Sequence, residues 1–225
     1  MWDGRDEVLG RGVYSIAEAA RLTRLRTRRV NEWFRGRDTP GRTSRPLFQS
    51  DYPVMHEQYS ISFLDLIELK IGGTLRDLGV PLQYLRKAYE RLKSEFGEHP
   101  LCRRAIFSGD KQIFTKELSI DGSNPPIEAI TGQAYFDEVI LPFLERVEYD
   151  PVTERAVRWR IAEMVVIDPA YRFGSPMVMP VGIPTSTLRN SYYANAESAA
   201  VVANWFGIEP AHVMAAVAFE NGLAA

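Results

Sequence analysis

One cysteine in 225 residues, Cys102, excludes an intrachain disulfide and any C-x-x-C metal site. Histidine is almost as scarce: His56, His99 and His212 are far apart, and none has a second His or Cys at ligand spacing. No metal and no cofactor is therefore expected. Long apolar runs are missing as well, and none approaches the roughly 20 residues that span a bilayer. The N-terminus, Met1-Trp2-Asp3-Gly4-Arg5-Asp6-Glu7, is polar and charged, unlike a signal peptide. The expectation is a cytoplasmic chain with no membrane contact. Catalytic signatures are lacking too, with no Ser–His–Asp or Cys–His arrangement, phosphate loop or dinucleotide fingerprint. Asp137, Glu138 and Glu145 form no recognisable acid/base pair. The chain is expected not to be an enzyme.

What is present is ordinary in amount and uneven in place. Apolar residues make up 45% and charged residues 25%, enough for one large core or two modest domains. The net charge is only −2. Yet ten arginines (Arg11, Arg21, Arg24, Arg26, Arg28, Arg29, Arg35, Arg37, Arg42 and Arg45) fall within 35 residues that hold three acids. That stretch carries +7, so the rest of the chain carries −9. A split this sharp puts one basic surface on a mildly acidic protein, the footprint of phosphate binding.

The arginines coincide with a helical pattern. Ser15 caps a first helix, with Glu18 three residues on as its capping-box acid and Ile16, Ala19, Ala20 and Leu22 on its buried side. The helix stops near Thr23-Arg24, and a second starts at Arg26 or Thr27. In it, Val30, Trp33 and Phe34 recur at i, i+3, i+4 and face inward. Arg28, Asn31, Glu32 and Arg35 form the outward face, built from side chains that read base edges and grip phosphates. After Gly36, the Pro40–Pro46 segment is a Pro/Gly-broken basic loop suited to touching a nucleic-acid backbone. Ser62 then caps a helix from Phe63 to about Asp77, with Asp65 as its capping-box acid. Gly79-Val80-Pro81 breaks the chain before a helix from Leu82 to about Phe96. The order resembles the winged helix-turn-helix of MerR-like regulators. Tyr14–Thr23, the turn, Arg28–Trp33 and the later helix pair supply the matching pieces. Arg24 stands where that family often has a turn glycine.

Pro100–Leu118 reads as a β-hairpin, with Ala105-Ile106-Phe107 and Gln112–Thr115 flanking a turn at Ser108-Gly109-Asp110. A helix is expected from about Tyr135 to Val147, kinked or restarted at Pro142. Val157, Trp159 and Ile161 alternate with Arg158 and Arg160 as a half-exposed strand should. From Ile167 onward charges thin to four acids and two bases, Arg172 and Arg189. There Ser198–Phe206 reads as a helix burying Ala199, Val202, Ala203 and Phe206. Gly207-Ile208 is a turn, and Glu209-Pro210 starts another helix with Val213, Ala216, Val217 and Phe219 inside. This second helix-turn-helix-like unit is nearly uncharged, so it suits a protein surface better than phosphate.

The C-terminal line Ile167-Asp168-Pro169, Phe173–Val178, Gly182-Ile183-Pro184-Thr185, Glu197-Ser198 and Trp205–Ile208 resembles a small domain of VapB-type antitoxins of type II toxin–antitoxin modules. Some members of that group carry a MerR-like winged helix at the N-terminus. The usual Gly-Thr-Arg-Ile-Pro is partly kept: Pro180, Val181 and Gly182 stand where Gly, Thr and Arg are common. The resemblance implies an antitoxin that blocks a cognate PIN-like ribonuclease toxin and represses its own operon as a dimer bound to duplex operator DNA.

The expected fold is mainly α with short β-hairpins. It comprises an N-terminal winged helix-turn-helix (residues 1–97), a small α/β connecting region (98–165) and a C-terminal helix-turn-helix-like domain (166–225). Candidate DNA-binding residues are Arg24, Arg26, Thr27, Arg28, Arg29, Asn31, Arg35, Arg42 and Arg45, with Arg28 and Asn31 placed for bases. Candidate partner-binding residues are Arg189, Trp205 and Phe206. A homodimer is expected, because a single reading helix covers few base pairs. Its seam is either Leu85, Tyr89 and Leu92 or the C-terminal helix pair. The competing reading is a one-component MerR-like regulator whose middle region senses a small molecule. A sensor needs an enclosed pocket and an antitoxin an exposed apolar surface; the sequence leaves both standing.

Overall fold

The computed structural model describes residues 10–39, 42–55, 58–108 and 140–224, in a mixed α/β arrangement. Tyr14–Val157 group into one compact unit, and Arg158 onward, with residues 10–13, into another.

The first unit is organised by two serine caps. Strand β1 (Tyr14–Ser15) leads into helix α1 (Ile16–Thr23). The Ser15 side chain accepts the Glu18 N–H at 3.2 Å, and the Glu18 carboxylate accepts the Ser15 N–H at 2.8 Å. Helix α2 (Thr27–Arg35) follows, then β2 (Arg37–Thr39), β3 (Arg42–Ser44), β4 (Ser60–Ile61), α3 (Phe63–Asp77) and α4 (Leu82–Phe96). Ser62 and Asp65 repeat the reciprocal cap at the start of α3. Because β1 and β4 pair antiparallel, with Tyr14 opposite Ile61, both capped helices start from one short ladder. Each capping box satisfies two of the backbone donors that a helix start leaves without partners.

The turn between α1 and α2 needs a left-handed residue. Arg24 supplies it at φ 59°, which lets the Leu25 N–H reach back to the Ala20 carbonyl at 2.9 Å. Leu25 then sits against α3 at Gly73, where a Cβ would lie 2.6 Å from its Cδ2. Val30, Trp33 and Phe34 face inward as expected. Phe48 joins them, its ring edge-on to Trp33 at 5.7 Å and to Tyr89 at 5.0 Å. Phe63, Leu66, Ile67, Ile71 and Leu75 complete the core from α3. Leu85, Tyr89 and Leu92 of α4 are buried within this same unit, so they are core and not a free dimer seam.

The Pro100–Leu118 segment departs from the expected hairpin. A 3₁₀ turn over Pro100–Cys102 leads to a short helix, α5 (Ala105–Ser108), where a strand was expected. Ile106 and Phe107 are both buried as consecutive residues, so the three-residue apolar run carries no strand alternation. The remainder of that hairpin, with Asp137 and Glu138, lies outside the described residues. At the end of the expected Tyr135–Val147 helix, α6 spans Leu141–Leu144, with Pro142 in its first turn. Val147 already belongs to strand β5 (Val147–Tyr149). Strand β6 (Ala156–Ala162) follows and carries the chain from one unit to the other.

In the second unit β6, β7 (Val165–Ile167), β8 (Met177–Val178) and β9 (Ile183–Pro184) form an antiparallel meander. Trp159 is buried opposite Ile167, while Arg160 is exposed. Helices α7 (Thr185–Ala194), α8 (Ala199–Phe206) and α9 (Pro210–Ala224) then cover the meander. Val165, Val178, Leu188, Val202, Ala203, Val213, Ala216 and Val217 make one apolar core. The Ser198 side chain caps α8, left-handed Gly207 closes it, and α9 leaves at 115°. The expected inward Phe206 is 37% exposed, because α8 is apolar but for Asn204 and only Val202 and Ala203 are fully buried, with Ala199 packed against the core. No single helix among the described residues is long and apolar enough to cross a membrane.

Candidate nucleic-acid interface

Helix α2 spans nine residues, about 13 Å at 1.5 Å per residue. Its core face, Val30, Trp33 and Phe34, leaves the opposite side to solvent. Arg24, Arg26, Thr27, Arg28, Arg35 and Arg45 are all exposed around it. Arg35 lies over the Tyr59 ring at 4.9 Å, which fixes the direction of its guanidinium.

The cations are not equivalent. Arg28 bonds Glu32 one turn on at 2.9 Å but remains 75% exposed. An exposed pair of this kind holds by only about 0–1 kcal/mol, so phosphate or base can displace it. Arg29 is half-buried and tied to Asp77 of α3 at 2.8 Å, which gives it a bracing part between helices. Asn31 is half-buried too, and its side-chain oxygen is enclosed with no donor. A bidentate amide contact with adenine would require this side chain to turn. The sequence pattern does not single out Lys70 of α3, whose ammonium pKa is pulled below 10.5 by burial and by the charge of Arg24.

The ribbon β2–β3 closes against the end of α2, with Arg37 opposite Ser44 and Thr39 opposite Arg42. The Leu47 and Phe48 N–H groups both bond the Trp33 carbonyl, at 2.8 and 3.1 Å. The Arg45 carbonyl accepts from the Arg86 guanidinium of α4 at 2.8 Å. These bonds fix the ribbon beside α2. The Arg42 side chain lies outside the described residues.

In the C-terminal unit Trp205 is 64% exposed, and Val201, Phe206 and Met214 are exposed as well. Arg189 lies over the Tyr193 ring at 5.2 Å and donates to Asn221 at 3.3 Å. The same unit holds a cavity of about 290 Å³ lined by Arg158, Val166, Asp168, Arg172, Met177 and Met179 among others. Arg158 there grips Asp168 through Nε and an outer nitrogen, at 2.9 and 2.7 Å.

A buried polar cluster in the first unit goes unannounced in the sequence, because its members lie up to 48 residues apart. His99 meets Asp51 at 2.7 Å through Nε2 and Glu68 at 3.2 Å through Nδ1. Glu68 also accepts from the Tyr89 hydroxyl at 2.8 Å and the Leu101 N–H at 3.2 Å. Burial alone would lower the His99 pKa, but the bonds to Asp51 and Glu68 outweigh it and raise it to about 10. Burial raises Asp65 to about 7. Cys102 beside them is fully enclosed and its thiol is pushed well above 9.0, so it is unreactive. Asp65 and Glu68 stand three residues apart among the buried apolar positions of α3, which marks a buried polar pair but not its partners.

No protein-family model matches the chain. A curated protein of Mycobacterium tuberculosis, named as the candidate antitoxin VapB45, is 20% identical over 215 residues, covering 88% of this chain and 89% of its own. The crystal structure of Rv2018 from Mycobacterium tuberculosis shares the fold with a TM-score of 0.71 at 19% identity. It matches 91% of this chain and 96% of its own.

Proposed function

We propose that this chain is an antitoxin that binds and neutralises a cognate PIN-like ribonuclease and represses its own operon on operator DNA, as a homodimer. The observation that carries the toxin half is the near end-to-end match with the VapB45 relative. The DNA half rests on the winged helix-turn-helix reading of α1, α2 and the β2–β3 ribbon. In that reading α2 lies in the major groove, with Arg28 for a base edge. Arg24, Arg26, Thr27, Arg35, Arg42 and Arg45 hold phosphates or groove walls, Asn31 reaches a base after turning, and Arg29 braces the helix. Trp205 and Phe206, with Arg189 nearby in sequence on α7, supply the toxin contact, since exposed aromatics anchor interfaces.

The test is affinity for the upstream operator duplex at several salt concentrations. Removing one phosphate-holding arginine should flatten the log–log slope by about one unit. A wild-type affinity that is insensitive to salt would remove the DNA half of the proposal. The second reading, a small-molecule-sensing regulator, draws on the cavity at Arg158 and Asp168, which lies in the C-terminal unit and not in the middle region expected to hold the ligand. On that reading a ligand would change operator affinity with no second protein present.

A further inference from the structure

Three carboxylates, Asp51, Asp65 and Glu68, converge on a single imidazole, His99, within the first unit. Glu68 and Asp65 have no exposed surface, and His99 is 4% exposed. Glu68 is fully engaged: one oxygen takes the Leu101 N–H, and the other takes Tyr89 and His99. Asp65 is not. Its Oδ2 accepts the Ser62 N–H at 2.9 Å and the Asp51 N–H at 3.4 Å. Its Oδ1 is enclosed with no donor and lies 4.0 Å from His99 Nδ1. A buried carboxylate oxygen is ordinarily satisfied, so an open one turned toward a histidine marks a place for a positive partner.

We propose that Asp51, Asp65 and His99 form a binding site for a divalent first-row cation, Zn²⁺ or Mn²⁺. One ligand atom from each of these residues lies within 4.8 Å of the others. Metal–ligand bonds of about 2.0–2.2 Å bring donor atoms to within about 3–4 Å of one another, so small side-chain movements close the site. Two carboxylate oxygens and one imidazole nitrogen suit Zn²⁺ or Mn²⁺ better than a soft, thiolate-seeking ion. His99 Nε2 faces Asp51 and is the ligand nitrogen. Nδ1–H keeps its bond to Glu68, which orients the ring, as the second nitrogen of a metal-bound histidine commonly requires. Asp51, whose side chain is 25% exposed, is the open edge through which the ion enters and water completes the shell. The ion replaces the proton between Asp51 and His99 Nε2, whose 2.7 Å separation opens to admit it, and the Asp65 carboxylate turns from the Nδ1 side, where Oδ1 lies 4.0 Å away, to reach it. It ties the loop at Asp51, helix α3 and the segment at His99 together. This site is independent of the antitoxin reading.

The experiment uses the full-length chain, freed of metal by a chelator and dialysed against Zn²⁺ or Mn²⁺. Bound metal is counted by mass spectrometry, and melting is followed with and without the ion. Wild type should take up about one ion per chain. At an ion concentration about a hundredfold above Kd the melting temperature should rise by about 5 °C or more. Asp65→Asn and Asp51→Asn should each weaken uptake at least about tenfold. Asp51 lies at the exposed edge, so its variant keeps the fold if the buried Asp65→Asn does not. Absence of uptake by wild type overturns the site, as does uptake by Asp51→Asn equal to wild type.

Discussion

Gly36 closes helix α2 and starts the ribbon, and replacing it tests whether the two are fixed together as described. Its backbone has φ 79° and ψ −173°, a region almost confined to glycine. Forcing alanine there costs about 1–3 kcal/mol in backbone strain. A Cβ would also lie 2.5 Å from the Ser44 carbonyl oxygen and 3.2 Å from the Pro46 nitrogen. These are backbone and ring atoms, and no side chain can swing aside to make room. Overpacking of this kind adds about 1–3 kcal/mol, so with the strain Gly36→Ala should lose about 2–6 kcal/mol. The structure supplies a matched control. Gly97, at the end of α4, has nearly the same backbone, φ 80° and ψ −160°, and nothing within 4 Å of its Cβ position. Gly97→Ala should therefore lose only the strain, about 1–3 kcal/mol. Urea denaturation of the two variants measures the difference. Operator affinity should fall further for Gly36→Ala, because the ribbon must move. Equal losses in the two variants would refute the close approach of the ribbon to the end of α2.

Other outcomes follow from single interactions. Tyr89→Phe removes one of the three donors on buried Glu68, leaving His99 and the Leu101 N–H, and should cost about 1–2 kcal/mol in urea denaturation; no loss would mean the hydroxyl does not serve Glu68. Asp150 accepts the Thr153 N–H and hydroxyl and the Val152 N–H, which holds its pKa below 3.8. A depressed carboxylate contributes stability above its unfolded pKa and loses it as pH falls through the folded one. The stability gap between wild type and Asp150→Ala should thus be full at neutral pH and narrow below pH 3.8; a constant gap contradicts this. Arg45→Ala should flatten the salt dependence of operator binding by about one unit. Arg29→Ala, which breaks the tie to Asp77, should leave the slope nearly unchanged; equal slopes in the two variants would reverse these roles.

Local rules carried the first hundred residues. Reciprocal Ser/acid caps at Ser15 and Ser62 set where α1 and α3 begin, and Pro81 and Gly97 bracket α4 as breakers should. The need for a left-handed turn residue at Arg24 was legible only through the family likeness, since nothing in the residue's own chemistry announces it. Short runs were less readable. Ala105-Ile106-Phe107 has no period to separate strand from helix, and the neighbouring 3₁₀ turn decided the outcome. Helix α7 shows no legible period, because Thr185 and Leu188 are its only fully buried residues, and a Thr-Ser-Thr start reads as loop. The side that Phe206 takes is not legible, because α8 is apolar but for Asn204 and so gives little direction. The Asp51–Asp65–Glu68–His99 cluster could not be read from spacing, since tertiary folding alone brings its members together.

Growth measured during co-expression with the product of the adjacent reading frame tests the central claim most directly. The neighbour alone should arrest growth, and the full-length chain should restore it. Trp205→Ala, at a residue 64% exposed, should fold like wild type and fail to restore growth. A neighbour that does not arrest growth, or an arrest that the wild-type chain leaves unrelieved, would contradict the antitoxin account.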